Sequence, residues 1–101
     1  MQLNKNLTLP KDKLADFCKQ HHIRRLAIFG SALRADFTTD SDVDVLVEFH
    51  KGKVPGFAFF GMQDELTELL GRKVDLYTPK FLSRYFRDTV LKEAEIQYAE
   101  E

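Results

Sequence analysis

The chain has 101 residues, 44% of them hydrophobic and 31% charged, and a formal net charge of -1. That length and balance predict one globular domain, residues 1–101, and exclude the strongly basic field that gathers nucleic acid. A single cysteine, Cys18, excludes an intrachain disulfide and a cysteine-built zinc site, and the absence of a long apolar run or an apolar leader predicts a cytoplasmic protein that does not enter a membrane.

Residues 1–9 read as a loose lead-in. From Pro10 to His21 the pattern is helical, with proline in the first turn and Leu14, Phe17, Cys18 and His21 on one face. Ile23 to Phe29 reads as a strand, Gly30 as a turn, and Ser31 to Ala35 as a short helix. A polar loop follows over Asp36 to Ser41. Asp42 to Phe49 reads as the central strand, and Val43, Val45, Val47 and Phe49 form an apolar stripe on one face. Gly52, Pro55 and Gly56 mark a loop over residues 50–56.

Phe57 to Leu70 is amphipathic at helical spacing, through Phe59, Met62, Leu66, Leu69 and Leu70, and Gly71 ends it. Phe57, Phe59 and Phe60 cannot all face one core, so at least one is expected at the surface. Lys73 to Tyr77 reads as a third strand. Thr78 and Pro79 have the order of an N-cap and first helical residue, which predicts a last helix from Lys80 to Ala94. Glu95 to Tyr98 reads as a terminal extended segment. The sum is an α/β (α+β) fold: a small mixed sheet with helices on one face and the other face left for chemistry.

Chemistry enters on the central strand. Asp42 and Asp44 stand two residues apart, so they share the face opposite the apolar stripe, with Cβ atoms roughly 7 Å apart. Clustered carboxylates repel and are costly to desolvate, so the pair asks for a cation. Hard ions such as Mg2+ take oxygen ligands of this kind and leave room for phosphate. Asp75, flanked by inward Val74 and Leu76, points the same way, and if its strand lies alongside, ~4.8 Å away, all three aspartates are expected to meet at one point. Three such carboxylates can hold two ions ~3.5–4 Å apart, the clamp of an in-line phosphoryl displacement.

The Gly30–Ser31 turn sits where a strand feeds a helix, and backbone N–H groups in such turns bind phosphate. The Ser31 hydroxyl is placed either for phosphate or for capping. Arg34 has three candidate partners: phosphate, the carboxylates, and Asp36 or Asp40. Ser41 is expected to shape the turn before Asp42. Arg72 and Lys73 border Asp75 and are candidates for neutralising a triphosphate. Lys51 and Lys53 read as a solvated loop. His21 and His22 are adjacent and point apart on a helix, so they are not expected to share a metal, and Cys18 reads as a small core residue.

Gly30-Ser31, Asp42-x-Asp44 and the later Asp75 resemble the signature of the polymerase-beta-like nucleotidyltransferase superfamily. The chain is most similar to its smallest members, the minimal nucleotidyltransferases or MntA-like antitoxins encoded beside HEPN-domain toxins. Phe29 to Arg34, Asp40 to Phe49, Arg72 to Leu76, Phe86 to Asp88 and Val90 to Ala94 carry the likeness, which spans roughly residues 9–99. The resemblance implies a polymerase-beta-like fold and Mg2+-dependent transfer of AMP from ATP to a hydroxyl, a tyrosine of a HEPN-domain toxin, with release of pyrophosphate. It implies two Mg2+ ions held by Asp42, Asp44 and Asp75, with Asp75 also helping to deprotonate the attacking hydroxyl. Gly30, Ser31, Arg34 and Ser41 would bind the nucleotide. An alternative of another class is a binding antitoxin that masks its partner by contact alone. A third is nucleotidyl transfer to a small molecule, as in aminoglycoside-modifying enzymes, against which the lack of a second domain in 101 residues counts.

Overall fold

The computed structural model describes residues 3–4, 7–38 and 40–100. Helix α1 spans Lys11–Gln20, followed by strand β1, Ile23–Phe29, a 3-10 turn at Gly30–Leu33, and strand β2, Val43–Phe49. Helix α2, Ala58–Leu70, and strand β3, Val74–Tyr77, come next. A second 3-10 turn at Pro79–Phe81, helix α3, Arg87–Glu93, and strand β4, Glu95–Ala99, complete the order. Among the described residues, no helix is long and apolar enough to cross a membrane.

The four strands lie in the order β3-β2-β1-β4. β1 pairs antiparallel with β2 and β4, while β2 and β3 run parallel, so the sheet is mixed. The two-residue period of β2 sends Val43, Val45 and Val47 into the main core, where they meet Leu14, Phe17 and Cys18 from α1 and Phe59, Met62 and Leu66 from α2. α2 stops at Gly71, whose φ of 68° is the left-handed value a helix-ending glycine adopts readily. β3 is an edge strand. The α2 side chains brace it: Val74 N donates to Thr67 Oγ1 at 3.1 Å and Leu76 N to Gln63 Oε1 at 2.9 Å.

Two expectations change. The lead-in is not loose where it is described: Leu7 is buried, Leu3 and Leu9 pack on the main core, and Asn4 N donates to Ala32 O at 2.7 Å. The last helix is also broken. Pro79 does start a helical turn, but Thr78 makes no side-chain cap bond and Leu82 is extended at φ -85°, ψ 143°. The cause is a change of layer. Phe81 stacks edge-on against Phe59 of the main core at 5.4 Å, whereas Leu82 joins Phe29 and Leu46 on the sheet's second face. Adjacent residues on one helix diverge by only about 100°, so a continuous helix does not serve both layers. Val90 and Ala94 of α3 pack against the same small cluster, so the second face is partly covered. The terminal extended segment is present as β4.

Candidate active site

The register of β2 decides the site. Asp44 is paired with Asp75 across the parallel β2–β3 ladder and with Phe29 across the antiparallel β1–β2 ladder. Asp42 lies two residues before Asp44 and keeps its parity, and Tyr77 lies two residues beyond Asp75 beside Leu46. One end of the sheet's second face therefore carries a row of carboxylates with an aromatic ring behind it.

These charges act on one another. The Asp44 carboxyl is raised from 3.8 to about 6, first by burial and then by the negative charges of Asp75 and Asp42, with Arg34 pulling the other way. Lys73 Nζ stands 3.8 Å from Asp42 Oδ2, an exposed and weak pairing. Tyr77 is also pushed up, by burial and then by Asp44, Asp75 and Asp42. Among the described residues, no three carboxylate, histidine or cysteine side chains converge tightly enough to cage an ion unaided. The three aspartates share one face and one electrostatic neighbourhood without closing to a point. An all-oxygen, partly open set still fits a hard cation that keeps several waters and substrate oxygens in its shell.

Gly30 joins the phosphate-type turn to this row. Its φ is +72°, and a Cβ built there would lie 2.4 Å from Asp44 Oδ2. Both the backbone conformation and the closeness of the carboxylate require glycine. Ser31 neither caps the turn nor stands free: its hydroxyl donates to the Asp42 carbonyl at 3.0 Å, tying the turn to the first aspartate. Arg34 is exposed, within electrostatic reach of Asp44, and its carbonyl accepts a bond from the Asn4 side chain.

Ser41 shapes its loop as expected, since Ser41 Oγ accepts from Thr38 N at 3.1 Å. Arg72 turns away from Asp75. Its guanidinium donates to the carbonyls of Thr38 and Ser41 and lies 4.2 Å from the centre of the Phe37 ring. It braces the loop that leads into Asp42, a role the sequence did not suggest. Asn4, Gln63, Thr67 and Tyr77 were likewise not singled out. Only Gln63 and Thr67 carry a signal, as polar residues four apart on a helix whose neighbouring face is apolar.

Other candidates fall away from the site. His21 Nε2 lies 3.1 Å from Glu65 Oε2 and its ring packs on Phe17. Cys18 is buried, and burial, aided by Glu100, pushes its thiol up to about 12, so it is not a nucleophile. Lys51 and Lys53 are exposed loop residues. Of the three neighbouring phenylalanines, Phe59 is buried while Phe57 and Phe60 are exposed.

Residues 11–97 match the family model described as a nucleotidyltransferase domain. The chain belongs to the nucleotidyltransferase domain family. A Methanocaldococcus jannaschii protein with a provisional protein adenylyltransferase name is 35% identical to this nucleotidyltransferase over 89 residues, covering 88% of the chain and 95% of the relative. The protein adenylyltransferase MntA of Thermococcus cleftensis is 38% identical over 72 residues, 70% of the chain and 71% of the relative. A solved structure described provisionally as a minimal nucleotidyltransferase matches at a TM-score of 0.68 and 32% identity, over 83% of this chain and 85% of that one. A toxin–antitoxin structure with AMP-PNP matches at 0.73 and 18% identity, over 92% of this chain and 76% of that one. A Shewanella oneidensis complex of a tri-AMPylated HEPN toxin with its MNT antitoxin matches at 0.60 and 17% identity, over 89% and 70%. The last two likenesses bear on the fold alone.

Proposed function

We propose that this nucleotidyltransferase is a metal-dependent protein adenylyltransferase. It moves AMP from ATP to a tyrosine hydroxyl of a HEPN-domain toxin in the cytoplasm, and so serves as an antitoxin. One observation carries the reading: Asp44 and Asp75 face each other in register beside Asp42, directly against the Gly30 turn. The names of the relatives support a protein acceptor, and the HEPN toxin is the AMPylated partner in a complex whose antitoxin shares this fold.

In this reading Asp42, Asp44 and Asp75 hold Mg2+. When bound, Mg2+ neutralises phosphate charge and lowers the pKa of the attacking hydroxyl. The chain's own groups do the rest. The N–H groups of the Gly30–Ser31 turn face the phosphates, and Arg34 supplies a positive charge beside them. Ser31 and Ser41 hold the backbone that carries Asp42, which keeps the carboxylate row in place. Asp75, on the edge strand, faces the acceptor and takes up its proton. The bond from acceptor oxygen to the α-phosphorus forms, the bond from that phosphorus to the bridging oxygen breaks, and pyrophosphate leaves.

Masking by contact is the second reading, and exposed Val54, Phe57, Phe60 and Phe81 favour it by offering apolar surface to a partner. Mass measurement of a HEPN-domain toxin incubated with the chain, ATP and Mg2+ separates the two. Addition of AMP units to a toxin tyrosine, absent with Asp44→Asn, is the expected result. An unmodified toxin held in a tight, inactive complex overturns the transferase reading.

A further inference from the structure

The chain has three tyrosines, Tyr77, Tyr85 and Tyr98. Tyr98 is on β4, with its hydroxyl bonded to the Glu100 carboxylate. Tyr85 is 87% exposed in the segment before α3. Of the three, Tyr77 alone stands on the face of the aspartates, two register positions beyond the Asp44–Asp75 pair.

Its ring does not rise straight from β3. It meets the ring of Phe29 edge-on, with centroids 5.4 Å apart. Phe29 belongs to β1, and β2 runs between the two strands. Strands two places apart are separated by ~9.6 Å, so this contact requires the two rings to meet over β2. Phe29 is the cross-strand partner of Asp44, so the Tyr77 ring packs against the residue that lies beside Asp44 on the same face. Tyr77 and Asp75 lie on the same face of β3, and Asp75 is the register partner of Asp44. A phenol is also the nucleophile class that the proposed reaction consumes.

Resting on that reading, we infer that Tyr77 is itself an AMP acceptor: without a partner, the chain transfers AMP in cis to Tyr77 Oη and the adduct closes its own site. The Oη–α-phosphorus bond forms, the link from that phosphorus to the β-phosphate breaks, pyrophosphate departs, and the phenolic proton passes to a site carboxylate or to water. A nucleophile tethered beside the reaction centre has a very high effective concentration, so it needs no partner to react. A bound toxin tyrosine competes with it for the same phosphorus. Self-modification thus restrains a transferase that has ATP but no target.

The experiment uses the full chain alone with ATP and Mg2+, read by intact mass and by fragment mapping. The expected result is a chain one AMP unit heavier, with the adduct on Tyr77 and a first-order rate independent of protein concentration. Tyr77→Phe, which keeps the ring against Phe29, should lose the adduct, and Tyr85→Phe and Tyr98→Phe should keep it. An adduct on Tyr85 or Tyr98, or a rate that rises with protein concentration, overturns the inference. So does an unchanged mass when calorimetry on the same sample shows Mg2+-dependent ATP binding, and the transferase reading then stands. If ATP does not bind with the metal at all, both fall together.

Discussion

Replacing Asp44 by asparagine should make the metal-free protein more stable at neutral and alkaline pH. The side chain keeps its shape and loses the charge that Asp75 and Asp42 oppose. The carboxyl rises from 3.8 to about 6 on folding, roughly two pKa units. At 1.36 kcal/mol per unit this sets a ceiling of about 3 kcal/mol. Asp44 is only half-buried, and solvent screening reduces the figure to about 1–1.5 kcal/mol. The sign follows from linkage. The folded state holds this proton more tightly than the unfolded state, so the proton's contribution is complete below 3.8 and is lost as the pH rises through about 6. At pH 8 in chelator, Asp44→Asn should therefore melt above the parent by roughly 4–12 °C for a domain of this size. Near pH 3.5 the two should coincide. With saturating Mg2+ the order should invert, because the ion stabilises the intact site only. Thermal melts followed by circular dichroism, across pH and with or without Mg2+, supply the test. A variant that melts clearly below the parent at pH 8 in chelator would show that Asp44 has a structural partner and that the repulsion argument is wrong.

Three further outcomes can be measured. Gly30→Ala puts a methyl 2.4 Å from Asp44 Oδ2 and forces alanine to φ +72°, so it should cost about 1–2 kcal/mol from the backbone and abolish AMP transfer by displacing the carboxylate; melts and toxin mass read both. Ser31→Ala removes one bond to the Asp42 carbonyl and should cost about 0.5–1.5 kcal/mol with at most a tenfold loss of transfer rate, far less than loss of an aspartate. Arg72→Ala should cost about 1–3 kcal/mol, because the Thr38 and Ser41 carbonyls lose a charged donor and Phe37 its cover, and hydrogen exchange should rise in residues 38–42.

The parts that sequence made legible are those with a period or a fixed parity. β1, β2 and α2 follow from alternation, helical spacing and Gly71, and the shared face of Asp42 and Asp44 follows from strand parity alone. The strand pairing that sets Asp75 against Asp44 is a tertiary fact that the pattern near Asp75 does not contain. Leu3, Leu7 and Leu9 lack an element of their own, so their packing is visible only once the core exists. The break at Leu82 was hidden for a related reason. The helical pattern of residues 80–94 is locally consistent, and only the edge of the sheet makes Phe81 and Leu82 part company. Arg72 was read by its nearness in sequence to Asp75, whereas its partners are backbone carbonyls more than 30 positions away, which have no side-chain signature.

The bracing of β3 by Thr67 and Gln63 has a consequence for assembly. Edge strands invite foreign strands through unpaired amides, and here the outward amides of Val74 and Leu76 are already occupied by side chains of the chain's own helix. A second molecule is thereby kept from zipping onto the strand that bears Asp75, which would crowd the carboxylates and shift their register. Sheet-to-sheet growth, were it to occur, would be directed to β4 at the opposite margin.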